Sequence, residues 1–404
     1  MLGSLVLTVL LLIILLYGRE EMRKLRRSRN SIPIRIHVNG TRGKSSVTRL
    51  IAAGLREGGI PTLAKTTGTS PKFIYPDGRE VSIARHGSPN IREQIAVLNH
   101  ARTENVRAIV LECMALQPTI QKISEDKMIQ ATHTVITNIL EDHLEVMGPR
   151  KEDVCFAFGG TVPPGKQVFT AERDLLPVLT EICSDRSAQV HSLNQSDLQE
   201  VLEEDLCDFR YFEHKENVAL ALKVCQSVGV PKQTALQGMK KANPDPGATC
   251  AYSMQYFGRQ VTFVNGFAAN DPKSSRKVWD LGIANFSNVD KRIAIINCRS
   301  DRSERSIQLG KEISNWKQSM PDLLVLVGES THILAKALLE GGVSFGRIEI
   351  AESATESEVF ERILDLGGNK SLVVGLGNIA GIGLSLLRMF RNRSEFIRMK
   401  TWIS

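Results

Sequence analysis

The stretch from Ile36 to Ser46 constrains this chain more than any other. Ile34, Ile36 and Val38 form a β-branched alternation that predicts a strand. Asn39-Gly40-Thr41-Arg42-Gly43-Lys44-Ser45-Ser46 follows as a glycine-bounded loop, and Val47 to Leu55 carries a helix-like pattern. Strand, glycine loop and helix start in that order make a phosphate cradle. Gly40 and Gly43 let successive N–H groups curl toward one anion, Lys44 brings a point charge to the outer phosphates, and the Ser45 hydroxyl suits Mg²⁺. The common Walker pattern puts a glycine where this chain has Val38, so the loop is the shorter variant Gly-Thr-Arg-Gly-Lys-Ser.

Upstream, Leu2 to Tyr17 is a nearly unbroken apolar run. As a helix of ~1.5 Å per residue it is about 24 Å long, against a hydrocarbon core of ~30 Å. Bilayer thinning and a snorkelling Arg19 close that gap. A cleaved signal peptide would need basic residues before the run and a small-x-small site after it. Here the basic residues follow: residues 19–29 hold six basic and two acidic side chains, which is +4 of the net charge of +7. The expectation is an uncleaved single-pass anchor (residues 1–18), a basic juxtamembrane linker (19–31) and a cytoplasmic body at the cell membrane. The rest of the chain is near neutral, which argues against nucleic acid as a partner. Seven cysteines without a Cys-x-x-Cys pair predict reduced thiols.

Within the body, Ala108-Ile109-Val110-Leu111 predicts a strand buried in a parallel sheet, ending in Glu112. A carboxylate at such a tip points into the crevice where α/β proteins bind ligands and holds Mg²⁺ directly or through water, or else caps a neighbour. Cys113 lacks a visible His–Asp arrangement and reads as a small buried thiol. Thr134 to Ile139 predicts the next strand, followed by Leu140-Glu141-Asp142-His143; an Asp-His pair there is either a loop or a metal ligand set. His37 and His86 have no such context and read as structural. The loop Lys65-Thr66-Thr67-Gly68-Thr69-Ser70-Pro71 is either a phosphate or carboxylate contact or a solvated turn.

Asn243-Pro244-Asp245-Pro246-Gly247 can be neither helix nor central strand and marks a boundary. Beyond it, apolar runs at 261–264, 293–296, 323–327 and 371–374 alternate with helical patterns at 307–317 and 331–340, which predicts a second parallel α/β unit. Arg299, Arg302 and Arg305 follow one of these strands, as an anion site or a solvated charge run. Gly375-Leu376-Gly377-Asn378-Ile379-Ala380-Gly381 has its third glycine one residue late for a dinucleotide fingerprint and reads as a strand-to-helix turn.

The short glycine loop resembles that of the Mur ligases and folylpolyglutamate synthases, and the whole chain looks most like the ligase subunits of poly-γ-glutamate synthases. The resemblance implies an α/β fold: a P-loop doubly wound parallel sheet domain (32–245), then a smaller Rossmann-like α/β domain (246–404), with an N-terminal membrane helix. It implies that Asn39 to Ser46 bind ATP and that Glu112 is the Mg²⁺ and γ-phosphate glutamate. The Asn-Ile-x-x-Asp-His string makes His143 a ligand of a second Mg²⁺, supported by Asn138 and Asp142. Asn217 matches an asparagine of the adenine-side helix. Asn270 and Asp271 match a nucleotide-contacting loop, and Arg302 and Arg305 an arginine loop of the second domain. It also places the loop around Gly68 and Thr69 beside the active site and finds a Gly-Pro-Asn-Ile segment at Gly87-Ser88-Pro89-Asn90. One departure stands out: residues 153–165 hold no lysine where many members carry a carbamylated one.

The chemistry so implied is ATP-driven amide ligation through an acyl phosphate, with Lys44, Glu112, His143 and Arg302 as catalytic residues and Ser45, Glu112 and His143 on the metal. Glutamate and a growing polyglutamate chain would be the substrates, with other membrane subunits of a synthase and export complex as partners. The other class compatible with these residues is a membrane-tethered NTPase that powers or regulates export without ligating anything.

Overall fold

The computed structural model describes residues 2–67, 70–83 and 90–399, with side chains from residue 5 onward. The readings of Gly68, Thr69, His86 and Gly87-Ser88-Pro89 lie outside the described residues. The chain divides into two compact units, residues 1–202 with 214–243 and residues 203–213 with 244–404. Residues 203–213, which no change of composition marks, thus cluster with the second unit.

Among its described residues the first unit is built on an eight-stranded sheet. Its strands are β1 (Ile34–Asn39), β2 (Thr62–Lys65), β3 (Lys72–Ile74), β4 (Glu80–Ser82), β5 (Ala108–Glu112), β6 (His133–Ile136), β7 (Gln167–Thr170) and β8 (Gln189–Ser192), in the order β4-β3-β2-β5-β1-β6-β7-β8. From β2 to β8 all neighbours are parallel, and β3 and β4 add an antiparallel edge. The apolar runs explain the central position of β1 and β5. Ile36, Val38 and all of Ala108 to Leu111 are fully buried, as strands covered on both faces must be.

Helix α1 runs unbroken from Leu2 to Asn30, so the apolar run and the basic segment behind it are one element. The large apolar side chains from Leu5 to Tyr17 are all exposed. Among the described residues no helix is long and apolar enough to cross a membrane. The physical reason is the one already visible in the run's length: Arg19, Glu20 and Glu21 follow Tyr17 and Gly18 directly. The basic segment is docked on the body. Leu25 is buried among Val97, Leu98, Ile109 and Ile129, a burial worth roughly 1.5–3 kcal/mol. Arg92 donates to Glu21 at 3.0 Å, Ser28 Oγ to Asn99 Oδ1 at 2.8 Å, and Arg29 to the carbonyls of Lys127 and Met128.

Among its described residues the second unit carries a seven-stranded sheet. The strands are β9 (Cys250–Tyr256), β10 (Arg259–Asn265), β11 (Lys291–Cys298), β12 (Leu323–Gly328), β13 (Ile348–Glu352), β14 (Lys370–Leu376) and β15 (Glu395–Ile397), in the order β13-β12-β11-β14-β10-β9-β15. β10, β11, β12 and β14 are parallel, as the alternation predicts, while the parallel edge strand β13 and the antiparallel β9 and β15 are additions that the periodicity does not reveal. Trp279 and Trp316 stack at 5.7 Å beside the sheet, and the buried Trp279 indole donates to the Ser319 carbonyl at 2.6 Å.

Candidate active site

The loop between β1 and helix α2 (Lys44–Glu57) is held from below by the next strand tip. Gly40 has φ +129°, and a Cβ there would lie 2.1 Å from Thr137 Oγ1, so the close approach as well as the dihedral requires glycine. Asn39 is buried; its Oδ1 accepts from Gly40 N at 2.9 Å, and its Nδ2 donates to Gln121 Oε1 at 2.8 Å. Asn138 grips the loop on both sides, with Oδ1 accepting from Arg42 N at 2.9 Å and Nδ2 donating to the Arg42 carbonyl at 3.1 Å. Thr137 Oγ1 donates to the same carbonyl at 2.6 Å. Asn138, expected beside a metal, is therefore a brace of the P-loop.

Gly43, at φ +81°, starts α2, and no side chain caps that helix. Its first-turn N–H groups and the positive end of its dipole are thus presented at the loop, as phosphate binding requires. Lys44 Nζ folds back onto the carbonyls of Gly40 at 2.6 Å and Thr41 at 3.2 Å. A Cβ on Gly43 would lie 2.9 Å from Asn217 Oδ1. The helix Lys215–Ser227 therefore sets Asn217 against the P-loop, where the sequence alone offered only a likeness of pattern.

Ser45 Oγ donates to Glu112 Oε2 at 2.9 Å, and the same carboxylate oxygen accepts from Thr67 N at 2.7 Å. Burial pushes the Glu112 carboxyl above the usual carboxylate range, against the pull of Lys44, Thr67 and Ser45. An all-oxygen pair of hydroxyl and carboxylate beside a phosphate cradle suits a hard divalent cation. Thr67 belongs to the loop that reads as either a ligand contact or a solvated turn, and it meets Glu112 through its backbone N–H.

His143 sits at φ +50° at the start of the short helix Leu144–Met147, with its ring Nδ1 3.2 Å from Glu145 Oε1. Among the described residues no three His, Cys, Asp or Glu side chains gather as a metal site. His37 is structural in the plainest sense. It is fully buried and its Nδ1 lies 2.9 Å from the buried Glu125 carboxylate. Burial alone would depress its pKa; the Cys113 thiol and the Glu125 carboxylate outweigh it and raise it to about 10.

In the second unit, Asp271 caps the helix Pro272–Asn285 by accepting from Ser274 N at 2.9 Å. Asn270 immediately precedes it. Arg302 ends the turn Ser300–Arg302, and Arg305 lies in the first turn of the helix Ser303–Ser314. Arg299 is held by Asp301 through contacts of 2.9 and 2.8 Å. The glycine turn after β14 is tied down by Asn297, which donates to the carbonyls of Asn378 at 2.6 Å and Ala380 at 2.8 Å.

A parallel sheet with a glycine loop at its central strand, followed by a second parallel α/β unit, defines a protein of the Mur-ligase build. Residues 38–205 match the Mur ligase middle domain. Residues 251–393 match the poly-gamma-glutamate synthase CapB C-terminal domain. The chain is 37% identical over 382 residues to the capsule biosynthesis protein CapB of Bacillus anthracis, covering 93% of this chain and 80% of that one. It is 34% identical over 378 residues to the PGA synthase CapB of Bacillus subtilis (strain 168), covering 93% and 94%. The chain belongs to the CapB family.

Solved structures of similar fold include MurF of Acinetobacter baumannii, with TM-score 0.65, 15% identity and coverage of 92% of this chain and 80% of that one. E. coli FolC in complex with DHPP and ADP matches at TM-score 0.62 and 14% identity, covering 93% and 94%. A bifunctional folylpolyglutamate synthase/dihydrofolate synthase with Mn, AMPPNP and L-glutamate bound matches at TM-score 0.62 and 13% identity, covering 92% and 93%.

Proposed function

We propose that this protein is an ATP-dependent amide ligase that polymerises glutamate into poly-γ-glutamate through an acyl phosphate. The observation that carries the reading is the joint geometry of the P-loop and Glu112: a phosphate cradle, a lysine folded into it and a Ser45–Glu112 oxygen pair at 2.9 Å. Family membership supports the substrate, since the relatives are named for capsule and polyglutamate synthesis.

In the reaction, a glutamyl carboxylate attacks the γ-phosphorus of ATP, the bond to the β-phosphate oxygen breaks, and ADP leaves. The amine of the next glutamate then displaces inorganic phosphate from the acyl phosphate and releases one proton, and an amide remains. The N–H groups of the loop and first turn of α2 hold the phosphates. Lys44, released from the Gly40 and Thr41 carbonyls, offsets charge that develops on the transferring phosphoryl group. Asn217 packs against the loop and bounds the nucleotide's side of it. Ser45 and Glu112 would hold Mg²⁺, which would supply charge neutralisation at the phosphates. His143 on a second metal, and Asn270, Asp271, Arg302 and Arg305 toward the nucleotide and acyl phosphate, complete the proposed machinery.

The protein acts at the cell membrane with its body in the cytoplasm. Support comes from the exposed apolar half of α1, which inserts into lipid, and from the basic residues that follow it on the same helix. Other membrane subunits of a synthase and export complex receive the polymer. The test is ADP release by full-length protein that depends on glutamate and yields γ-linked polymer, with Lys44→Ala as control. Polymer from wild type and none from the variant is the expected result. ATP turnover indifferent to glutamate would overturn the ligase reading in favour of a tethered NTPase.

A further inference from the structure

Helix α3 (Glu93–Thr103) lies on the sheet face opposite α2. It buries Gln94, Val97, Leu98 and Ala101, and the last three pack on Leu63, Ile109 and Leu111. Gln94 is on that same face one turn earlier, over the carboxyl ends of the strands. Its residue is fully buried, and neither Oε1 nor Nε2 has a hydrogen-bond partner. Two orphaned amide atoms in one buried side chain cost roughly 1–3 kcal/mol each, a cost that a bound ligand with a donor and an acceptor would offset.

Glu93, its neighbour in the chain, pairs with a second costly group. Lys65, the last residue of β2, is fully buried, with Nζ 2.9 Å from Glu93 Oε2 and 3.5 Å from Met114 Sδ. In the parallel register Lys65 lies opposite Leu111, the residue before Glu112. Two residues beyond Lys65, the Thr67 N–H donates to Glu112 itself. This polar pair therefore sits at the same strand tips as the Ser45–Glu112 pair, joined to it by the chain Lys65-Thr66-Thr67.

We propose that Lys65 and Gln94 bind the α-carboxylate of a glutamyl unit. The inference rests on the ligase reading and adds a binding site to it. Lys65 supplies the countercharge. The first turn of α3 adds its dipole, its N–H groups being taken by the carbonyls of Asn90, Ile91 and Arg92. Gln94 decides the ligand class. Its Nε2 donates to a carboxylate oxygen, while its Oε1 needs a donor, which the nitrogen of the same glutamyl unit provides. Sulfate offers no donor, and Glu93 at 2.9 Å from Lys65 repels a dianion such as hydrogen phosphate. The source of the unit is either free glutamate or a γ-glutamyl chain.

The experiment is equilibrium dialysis of full-length protein, in detergent, against labelled glutamate and labelled γ-glutamyl-glutamate, for wild type and Gln94→Leu. The substitution is apolar and of similar size, so the variant should melt at or above the wild-type temperature. ADP binding, which reports the P-loop, should be unchanged. The expected result is binding of at least one of the two ligands, weakened about tenfold or more in Gln94→Leu; whichever ligand is bound identifies the source. Lys65→Met should weaken the same ligand. Wild type that binds neither, or a variant that binds both as well as wild type, overturns the proposal, and a variant that binds normally but melts lower makes Gln94 a structural residue. Binding without ATP-dependent polymer formation would sink the ligase reading and leave this site standing.

Discussion

Ser45 and Glu112 meet at 2.9 Å although 67 residues separate them in the chain, because β5 runs beside β1 and ends level with the P-loop. The hydroxyl belongs to the first turn of α2 and the carboxylate to a strand tip, so the pair exists only when the strand–loop–helix unit and β5 are in register. Removing the charge should leave the fold and remove the chemistry. Glu112→Gln is expected to lower kcat/KM by at least about 10²-fold, or ~2.7 kcal/mol. Ser45→Ala should shift the Mg²⁺ midpoint upward by roughly tenfold or more. A metal titration of glutamate-dependent ADP release checks both.

Gly40 admits no side chain. Gly40→Ala would drive a Cβ to 2.1 Å from Thr137 Oγ1 at a φ of +129°. A destabilisation of about 2 kcal/mol or more is expected, with loss of ADP binding. Denaturant melts and ADP titration read the two effects separately. Unchanged ADP binding would mean that the loop rearranges without cost.

His37 and His133 predict opposite pH limbs. His37 is raised to about 10 by Cys113 and Glu125 against the effect of burial, so the folded state holds its proton longer than the unfolded one. Its stabilisation is complete below about 6.5 and is lost as pH rises toward 10, with a slope of at most ~1.4 kcal/mol per unit. His133 is lowered to about 4 by burial, His191 and Arg35. It therefore destabilises the fold as pH falls from about 6.5 to 4. Urea midpoints against pH should fall on both sides; His37→Gln should flatten the alkaline limb and His133→Gln the acid one.

On the proposed membrane reading, docking on the body and attachment to lipid belong to different halves of α1. Deleting residues 2–17 should release the protein from membranes and leave ADP binding intact, because the contacts to the body begin at Glu21 and Leu25. Leu25→Ala should do the reverse, keeping the protein on the membrane at a cost of about 2–5 kcal/mol in stability. Fractionation and melting of the two variants decide it.

The central strands and the P-loop were legible because buried parallel strands are written as unbroken apolar runs, and because a glycine loop before Lys-Ser has few other uses. β9, β15, β3 and β4 were not, since edge strands of mixed polarity carry no such run. Within the site, Glu112 announced itself as a carboxylate after Ala108-Ile109-Val110-Leu111. Thr67 was one of several polar residues in a loop of open reading, and only the packing shows its contact with Glu112. Gln94 did not announce itself, since a glutamine in a helix reads as solvated until the packing shows it fully buried, and Lys65 stood in a loop that reads equally as a phosphate or carboxylate contact and as a solvated turn. Cys113 is the small buried thiol that the sequence suggested, and its place beside His37 follows from the pairing of β1 with β5.

Whether ATP is spent on activating a carboxylate is tested most directly by isotope transfer. Full-length protein would be given ATP, Mg²⁺ and glutamate labelled with ¹⁸O in its carboxylates, and the released phosphate analysed by mass. An acyl phosphate carries one labelled oxygen into each phosphate released, so label should appear with wild type and vanish with Lys44→Ala. Phosphate released by wild type without label would contradict the account, because the γ-phosphoryl group would then have gone to water and not to a carboxylate.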